Sequence, residues 1–237
     1  MTGEGFGVRR LSRIGRSMAR SMAKATSEAA LSQVAVHVGL DPVLEDRRRR
    51  ESPRSVTAYL LWAMASVLGN HPMLNARLAD DGKSVEIADD VNLGVAVATD
   101  EGLIVPVIHG AQKLDLDGIA AEMDRLAHAA RGGELTVDDV TGGTFTVSNL
   151  GMFGVDSGFA LPPPPQGAIL LVGRSRRVFV PGGNDEPVLR TEAWCGLTFD
   201  HRFIDGATAA ALLTDFDAAL AAPSGVPAEA STGPGGR

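Results

Sequence analysis

Cysteine is almost absent from the sequence, and its scarcity narrows the chemistry that the chain can carry. Cys195 is the only cysteine among 237 residues, so no internal disulfide and no cysteine-ligated metal centre can form. No run of about 18 apolar residues is present, which excludes a membrane-spanning helix. The net charge of -7 provides no basic footprint for nucleic acid. The N-terminus lacks the apolar segment of a signal peptide, and we therefore expect a cytoplasmic protein without nucleic-acid or membrane partners.

The rest of the composition is that of an ordinary globular protein. Apolar residues make up 44% of the chain and charged residues 22%, and the length suffices for a substantial core. The two ends differ from this pattern, because residues 1–8 are rich in glycine and residues 223–237 in Pro, Gly, Ser and Ala. We expect both ends to be disordered tails of a single folded domain over residues 9–222.

Alternating patterns predict a mixture of helices and strands between the tails. Apolar residues at helical spacing predict four helices, over residues 11–30, 55–69, 117–130 and 207–222. Ser55 is placed to cap the second of them. Apolar or β-branched runs predict strands over residues 33–39, 91–98, 103–108, 144–148, 168–172 and 190–199. A tight connection at residues 99–102 makes a hairpin, so we expect an α/β sandwich with antiparallel or mixed pairing.

A polar turn follows the last predicted strand. It contains His201 and Arg202 between Asp200 and Asp205, and Gly206 lets the chain bend before the next helix. Scaffolds often present catalytic groups on turns at strand ends. Histidine, with an ordinary pKa of about 6.5, is a suitable general base near neutral pH. From residue type and spacing, His201 is either a general base or a surface histidine flanked by a solvated ion pair.

A second polar pair, Ser148 and Asn149, ends the strand at residues 144–148 and precedes a glycine-rich loop. Ser148 is a candidate nucleophile or a hydrogen-bond donor to an oxyanion, and the alternative is a serine that merely caps a turn. No G-x-S-x-G elbow surrounds it, which argues against a serine hydrolase.

Together these segments resemble the catalytic domain of the dihydrolipoamide acyltransferases of 2-oxoacid dehydrogenase complexes, a family related to chloramphenicol acetyltransferase. The H-x-x-x-D-G signature of that family spans residues 201–206. The resemblance also includes the hairpin at residues 95–107, the Gly-Gly-Thr-Phe-Thr-Val-Ser-Asn-Leu-Gly-Met-Phe-Gly run at 142–154, and Pro-Pro-Gln at 164–166. These motifs occur in the family's order and cover about residues 11–216.

The resemblance implies a chloramphenicol acetyltransferase-like two-layer sandwich with a mixed sheet that forms trimers or multiples of trimers. Each active site would lie between two subunits, with the CoA arm entering from one side and the acceptor from the other. His201 would be the general base, Ser148 of the facing subunit would bind the oxyanion, and Asp205 would pair with an arginine that stiffens the site. Acyl-CoA, such as acetyl-CoA, would be the co-substrate, and no metal is expected. The residues that we expect to contact the CoA are Asn149, Thr198 and Arg202.

Two departures from the family pattern affect the site. Relatives begin their first helix with two arginines, the first of which pairs with the motif aspartate, whereas this chain has Gly15-Arg16. Either Arg16 or Arg13 replaces that partner, or Asp205 is held differently. Ser32-Gln33 stands where relatives have Pro-His, on the acceptor side, which leaves the acceptor open.

Three functions remain after this reading. The first is transfer of an acetyl or other short acyl group from acyl-CoA to a hydroxyl of a small molecule, as in the stand-alone tetronate O-acetyltransferases of antibiotic biosynthesis that the chain resembles. It is favoured because the catalytic segment begins within about ten residues of Met1 and no lipoyl-lysine hairpin is present, so we expect no lipoyl group on this chain. The alternative is a dehydrogenase-complex core that acylates dihydrolipoamide. The third, a catalytically silent assembly protein, is disfavoured by the intact His201, Ser148 and Asp205.

Two further segments are predicted to have structural rather than catalytic roles. Cys195 lies within a predicted strand and is expected to be packed rather than reactive. The four prolines at residues 162–165 predict a rigid loop at a subunit contact, because proline cannot join a central strand.

Overall fold

The computed structural model describes residues 7–99 and 102–223, in which five α-helices and ten β-strands form. The predicted tails lie outside the described residues except for residues 7, 8 and 223. The helices are α1 (Arg13–Glu28), α2 (Asp41–Arg49), α3 (Val56–Leu68), α4 (Leu116–Gly132) and α5 (Gly206–Ala221). The strands are β1 (Leu31–Gly39), β2 (Ala76–Leu78), β3 (Val85–Ile87), β4 (Leu93–Val95), β5 (Val97–Thr99), β6 (Gly102–Ile104), β7 (Val107–Ile108), β8 (Phe145–Asn149), β9 (Ala168–Pro181) and β10 (Pro187–Asp200).

Six strands form the main sheet, in the order β1-β10-β9-β8-β4-β7. β8 runs parallel to both β9 and β4, and the other neighbours are antiparallel, so the sheet is mixed as predicted. Helices α3 and α5 pack against each other, and α5 also packs on β1. Tyr59 of α3, Phe216 of α5 and Leu197 of β10 are fully buried members of one hydrophobic core. A helical layer therefore covers the sheet, which confirms the α/β sandwich.

Helix α3 shows why the central helix forms where the sequence predicts it. The side chain of Ser55 accepts a hydrogen bond from the Ala58 backbone N–H at 3.1 Å, which confirms the predicted cap. Nine residues of this helix are buried, so its stability comes mainly from packing against neighbours on several sides.

The hairpin predicted over residues 91–98 and 103–108 is present but divided into two parts. Near the core, β4 pairs with β7, whereas β5 and β6 form a separate two-stranded ribbon. The break arises because Pro106 has no N–H to donate and because Ala96 donates its N–H to Val147 of β8 at 3.2 Å. The two residues at the tip of this hairpin, 100 and 101, lie outside the described part of the chain.

Strand β9 is much longer than the sequence pattern predicts, and β10 is longer by a few residues at its start. Each has 14 residues, whereas apolar runs predicted 168–172 and 190–199. The additional residues form a two-stranded arm that leaves the core, and Arg174 to Arg177 are all exposed on it. Cross-strand pairing such as Arg176 with Glu192 replaces apolar alternation there, which is why the periodicity gave no signal.

Candidate active site

The turn that carries His201 is fixed by backbone hydrogen bonds on both sides. The His201 N–H donates to the Ala30 carbonyl at 2.8 Å, and the N–H groups of Phe203 and Ile204 donate to the Asp200 carbonyl at 3.3 and 3.1 Å. The side chain of His201 is exposed, and its ring centroid lies 5.5 Å from that of the buried Phe199. The sheet therefore ends in a constrained turn that presents an imidazole to the surface, where it can accept a proton from a bound molecule.

Asp205 is the residue that starts helix α5. Its Oδ1 accepts a hydrogen bond from the Thr208 backbone N–H at 2.7 Å, and that bond is the main cause of the lowered pKa of the Asp205 carboxyl. Within the described residues of the single chain, no arginine pairs with Asp205. Arg16, a predicted partner, instead donates to the Leu11 carbonyl at 2.8 Å, and Arg13 is exposed. Within one chain, Asp205 caps a helix, and its bridge to an arginine stays a prediction.

We expect Asp205→Ala to lower the melting temperature by about 2–4 °C, because an uncapped N-terminus leaves the first N–H groups of α5 without an acceptor. Asp205→Asn should keep most of the cap, since asparagine caps nearly as well. Because the folded-state pKa is lowered, the capping stabilisation is present above the ordinary carboxyl pKa near 4 and is lost as the pH falls through the folded value. Thermal melts of the three proteins at pH 7 and at progressively lower pH check this, and equal melting temperatures at pH 7 contradict the capping role.

Ser148 lies near the end of β8 and is half-buried. The described residues give its hydroxyl no hydrogen-bond partner, so it is available to donate to a bound group. The neighbouring Asn149 has a different function in the fold. Its Nδ2 donates to the Thr57 hydroxyl at 3.0 Å, and its Oδ1 accepts from the Gly151 N–H at 2.9 Å. Asn149 thus ties the glycine-rich loop to helix α3, and the prediction that it contacts CoA stays a prediction.

The sheet register keeps Ser148 and His201 of one chain apart. Ser148 pairs with Leu171 of β9, and Leu171 pairs with Gly196 of β10. His201 lies five residues further along the chain than Gly196, and two strand spacings separate β8 from β10. At about 3.3 Å per residue along a strand and about 4.8 Å between strands, the two Cα atoms are roughly 15–20 Å apart. One chain therefore does not bring the predicted base and the predicted oxyanion donor together.

Thr198 and Arg202 already have partners within the chain. Thr198 is fully buried, and its hydroxyl accepts a hydrogen bond from Gln33 Nε2 at 3.0 Å. Arg202 Nε lies 2.9 Å from Asp200 Oδ2, and the hydrogen bond with Asp200 is the main cause of the raised pKa of Arg202. Contact of either residue with CoA stays a prediction. The sequence placed Asp200 in the polar turn and Gln33 on the acceptor side, but it did not predict that they pair with Arg202 and Thr198.

A polar cleft of about 320 Å³ lies next to the His201 turn. Its walls come from α1, from the proline-rich loop and from the turn, and they include Lys24, Glu28, Gln166, Asp200 and Arg202. Gln166 is held in place because its Oε1 accepts a hydrogen bond from the Thr146 hydroxyl at 2.6 Å. The Pro-Gln motif thus forms part of a surface beside the candidate base.

Cys195 and the scattered acidic and histidine side chains were the remaining candidates. Cys195 is fully buried, and burial raises the pKa of its thiol, so it is packed as expected. Over residues 7–99 and 102–223, no three His, Cys, Asp or Glu side chains gather as metal ligands would. The described helices include none that is long and apolar enough to span a bilayer.

Comparison with protein families places almost the whole chain in one of them. Residues 4–227 match the model for the 2-oxoacid dehydrogenases acyltransferase catalytic domain. The chain is 41% identical over 162 residues to component 4 of the chloroplastic pyruvate dehydrogenase complex of Arabidopsis thaliana, a dihydrolipoyllysine-residue acetyltransferase. It is 40% identical over 162 residues to the human mitochondrial dihydrolipoyllysine-residue succinyltransferase of the 2-oxoglutarate dehydrogenase complex. These alignments cover 68% of this chain but only 34% and 35% of the relatives, so the chain spans about a third of their length.

Solved structures show the same likeness in three dimensions. The dihydrolipoamide acetyltransferase of Azotobacter vinelandii superposes with a TM-score of 0.88 at 27% identity, covering 92% of each chain, and a serine, a histidine and an asparagine of that enzyme were investigated for roles in catalysis. The cubic core of the pyruvate dehydrogenase multienzyme complex superposes with a TM-score of 0.87, also at 27% identity and 92% coverage of each chain. Chloramphenicol acetyltransferase matches at a TM-score of 0.56 and 14% identity over 85% of this chain and 94% of its own, which supports the shared fold alone. The predicted fold class is confirmed.

Proposed function

Because the chain belongs to the 2-oxoacid dehydrogenase acyltransferase family, we propose that it transfers an acyl group between CoA and a dihydrolipoyl group, as the catalytic core of a dehydrogenase complex. That it is an acyltransferase agrees with the prediction. The preferred acceptor of the sequence analysis, a hydroxyl of a natural-product intermediate, has no support among these relatives, whose names specify dihydrolipoyllysine residues. The alternative reading therefore replaces it.

The spacing of the candidate residues is the observation that carries the proposal. In the Azotobacter enzyme the investigated histidine and asparagine are four residues apart, as His201 and Asp205 are here. The investigated serine precedes that histidine by 52 residues, and Ser148 precedes His201 by 53. Asparagine and aspartate are both good helix caps, which fits the position of Asp205 at the start of α5. We therefore assign His201 as base and Ser148 as oxyanion donor.

The reaction that these groups support is direct thioester exchange. His201 accepts the proton of the attacking thiol, and the resulting sulfur attacks the thioester carbonyl carbon to give a tetrahedral oxyanion. The Ser148 hydroxyl donates a hydrogen bond to that oxygen as its charge develops. Collapse breaks the bond to the departing sulfur, which receives the proton back from His201. No covalent bond to the protein forms, and the same steps run in either direction.

The distance between Ser148 and His201 supports a site shared by two subunits. Trimers, or assemblies of trimers such as the cubic core, are the proposed state, because they would bring Ser148 of one subunit to His201 of the next. The expected absence of a lipoyl group and the expected cytoplasmic location stay predictions. Two of the named relatives are chloroplastic and mitochondrial.

Mixing two inactive variants tests the shared site. Equal amounts of His201→Ala and Ser148→Ala, dissociated and reassembled together, should recover about a quarter of wild-type turnover, because each site draws one group from each of two randomly chosen subunits. The measurement is acetyl transfer before and after subunit exchange, with each variant reassembled alone as the control. Recovery absent from trimers shown to be mixed, or full activity in a sedimenting monomer, contradicts a site between subunits.

The acceptor is tested by thiol release from acetyl-CoA. Purified protein with acetyl-CoA and dihydrolipoamide should release CoA at a rate that depends on both substrates and on His201. A panel of small alcohols, including tetronate hydroxyls, serves as the comparison. Turnover with an alcohol and none with dihydrolipoamide overturns the proposed acceptor while leaving the acyltransferase chemistry in place.

A further inference from the structure

Asp200, immediately before the candidate base, is the centre of a hydrogen-bonded network around the His201 turn. We call this network of Ala30, Asp200, His201 and Arg202 the bracket. It is 4% exposed and accepts bonds at both carboxylate oxygens. Oδ1 accepts from the Ala30 N–H at 3.2 Å and from the Arg202 N–H at 3.1 Å. The guanidinium of Arg202 approaches the same carboxylate, with Nε at 3.0 Å from Oδ1 and Nη2 at 2.5 Å from Oδ2. The charge of this buried carboxylate is therefore matched by one arginine and satisfied by two backbone donors.

Ala30 connects Asp200 to His201 through its backbone N–H and carbonyl groups. The Ala30 N–H donates to the Asp200 carboxylate, and the Ala30 carbonyl accepts from the His201 N–H at 2.8 Å. Ala30 lies between α1 and β1, 170 residues away in sequence from Asp200. Asp200 and Arg202, on either side of His201, are thus bound to each other, and Asp200 and the His201 backbone are both bound to Ala30. The imidazole itself has no hydrogen bond to a described side chain.

We propose that Asp200 and Arg202 are positioning residues that set the direction of the His201 imidazole. The inference rests on the proposed function, because it takes His201 as the base. The physical argument is that an exposed histidine can orient a lone pair only as well as its backbone is held. A displacement of about 1 Å in a reacting group can cost on the order of 10²-fold in rate.

Asp200→Asn keeps the shape of the side chain but turns one oxygen into an NH₂ donor, which must then face the Ala30 N–H or the Arg202 guanidinium. We expect kcat to fall by about 10–100-fold, with the KM for acetyl-CoA nearly unchanged. Arg202→Gln should give a smaller loss, and Arg202→Lys should recover part of it because a lysine can still pair with Asp200. Glu86→Gln, which breaks the exposed Arg77–Glu86 pair on β2 and β3, is the matched control and should leave kcat unchanged.

The double variant separates positioning from general stability. If Asp200 acts only through His201, adding Asp200→Asn to His201→Ala should change the residual turnover by less than about threefold. A full additional loss in that background overturns the proposal, as does wild-type kcat in Asp200→Asn. If Asp200→Asn does not assemble, Arg202→Gln and Arg202→Lys test the proposal instead. A kcat of Arg202→Gln equal to that of wild type then overturns the positioning role. No turnover of wild-type protein with dihydrolipoamide refutes the proposed function itself. Normal turnover in His201→Ala removes the base on which the positioning role depends. An impaired His201→Ala beside an unimpaired Asp200→Asn refutes the positioning role alone.

Discussion

We expect His201→Ala to lower kcat by about 10²–10⁴-fold, since a positioned base contributes that much to proton transfer. Turnover should fall at every acceptor concentration, because the variant lacks the imidazole that takes the proton of the attacking thiol. The folded state should be little affected. His201 is exposed, its side chain has no hydrogen-bond partner among the described residues, and the turn is held by backbone groups that alanine retains.

Steady-state kinetics with acetyl-CoA and dihydrolipoamide measure the loss, and a thermal melt checks that the variant is folded. His128→Ala is the control, because His128 is also exposed but lies on α4, away from the turn. A His201→Ala variant with near-normal kcat removes this residue from the mechanism. A loss that is equal in His128→Ala has a cause other than the base.

Ser148→Ala should lower kcat by about 10²–10³-fold, the usual cost of one oxyanion donor. The loss should appear in kcat more than in KM, because the hydrogen bond strengthens only as the carbonyl oxygen gains charge. The structure indicates that this substitution removes the hydroxyl without disturbing the fold. The Ser148 hydroxyl has no partner in the described residues, so its removal leaves no buried group unsatisfied and the stability should hold.

The matched control is Ser66→Ala on α3, whose exposed hydroxyl donates to the Ala63 carbonyl at 2.8 Å, remote from β8 along the chain. Kinetics of both variants, with an acyl-CoA carrying a label in the acyl group, decide between two roles. A loss confined to KM makes Ser148 a contact with bound substrate only. Label retained on Ser148 after denaturation contradicts direct transfer and favours a covalent acyl-serine.

The candidate site residues could be read from the sequence, whereas their arrangement in space could not. His201, Ser148 and Asp205 stand in local motifs, and each motif follows a strand whose apolar run was readable. The capping role of Asp205 also had a local signal, an aspartate just before an Ala/Leu helix, but the expected arginine bridge took precedence over it.

Other features depend on contacts that no local pattern encodes. The separation of Ser148 from His201 follows from the register of three strands, and the bond from Ala30 to Asp200 joins residues 170 positions apart. The sequence predicted only part of the arm formed by β9 and β10, because its exposed arginines interrupt the apolar run. In each case, contacts with residues distant in the sequence determine the structure and override local preference.

The pairing of β1 with β10 has a consequence for the order in which the chain acquires its structure. β1 ends at Gly39, and its partner β10 begins only at Pro187, 148 residues further along the chain. At about 5–20 residues per second, β1 waits roughly 8–30 s for β10 to be synthesised. During that time a strand containing Val34, Val36 and Val38 has an open edge, the kind of surface that nascent-chain chaperones cover. The turn bearing His201 is made directly after β10 and closes onto Ala30, so the candidate base is in place only once β1 has paired with β10.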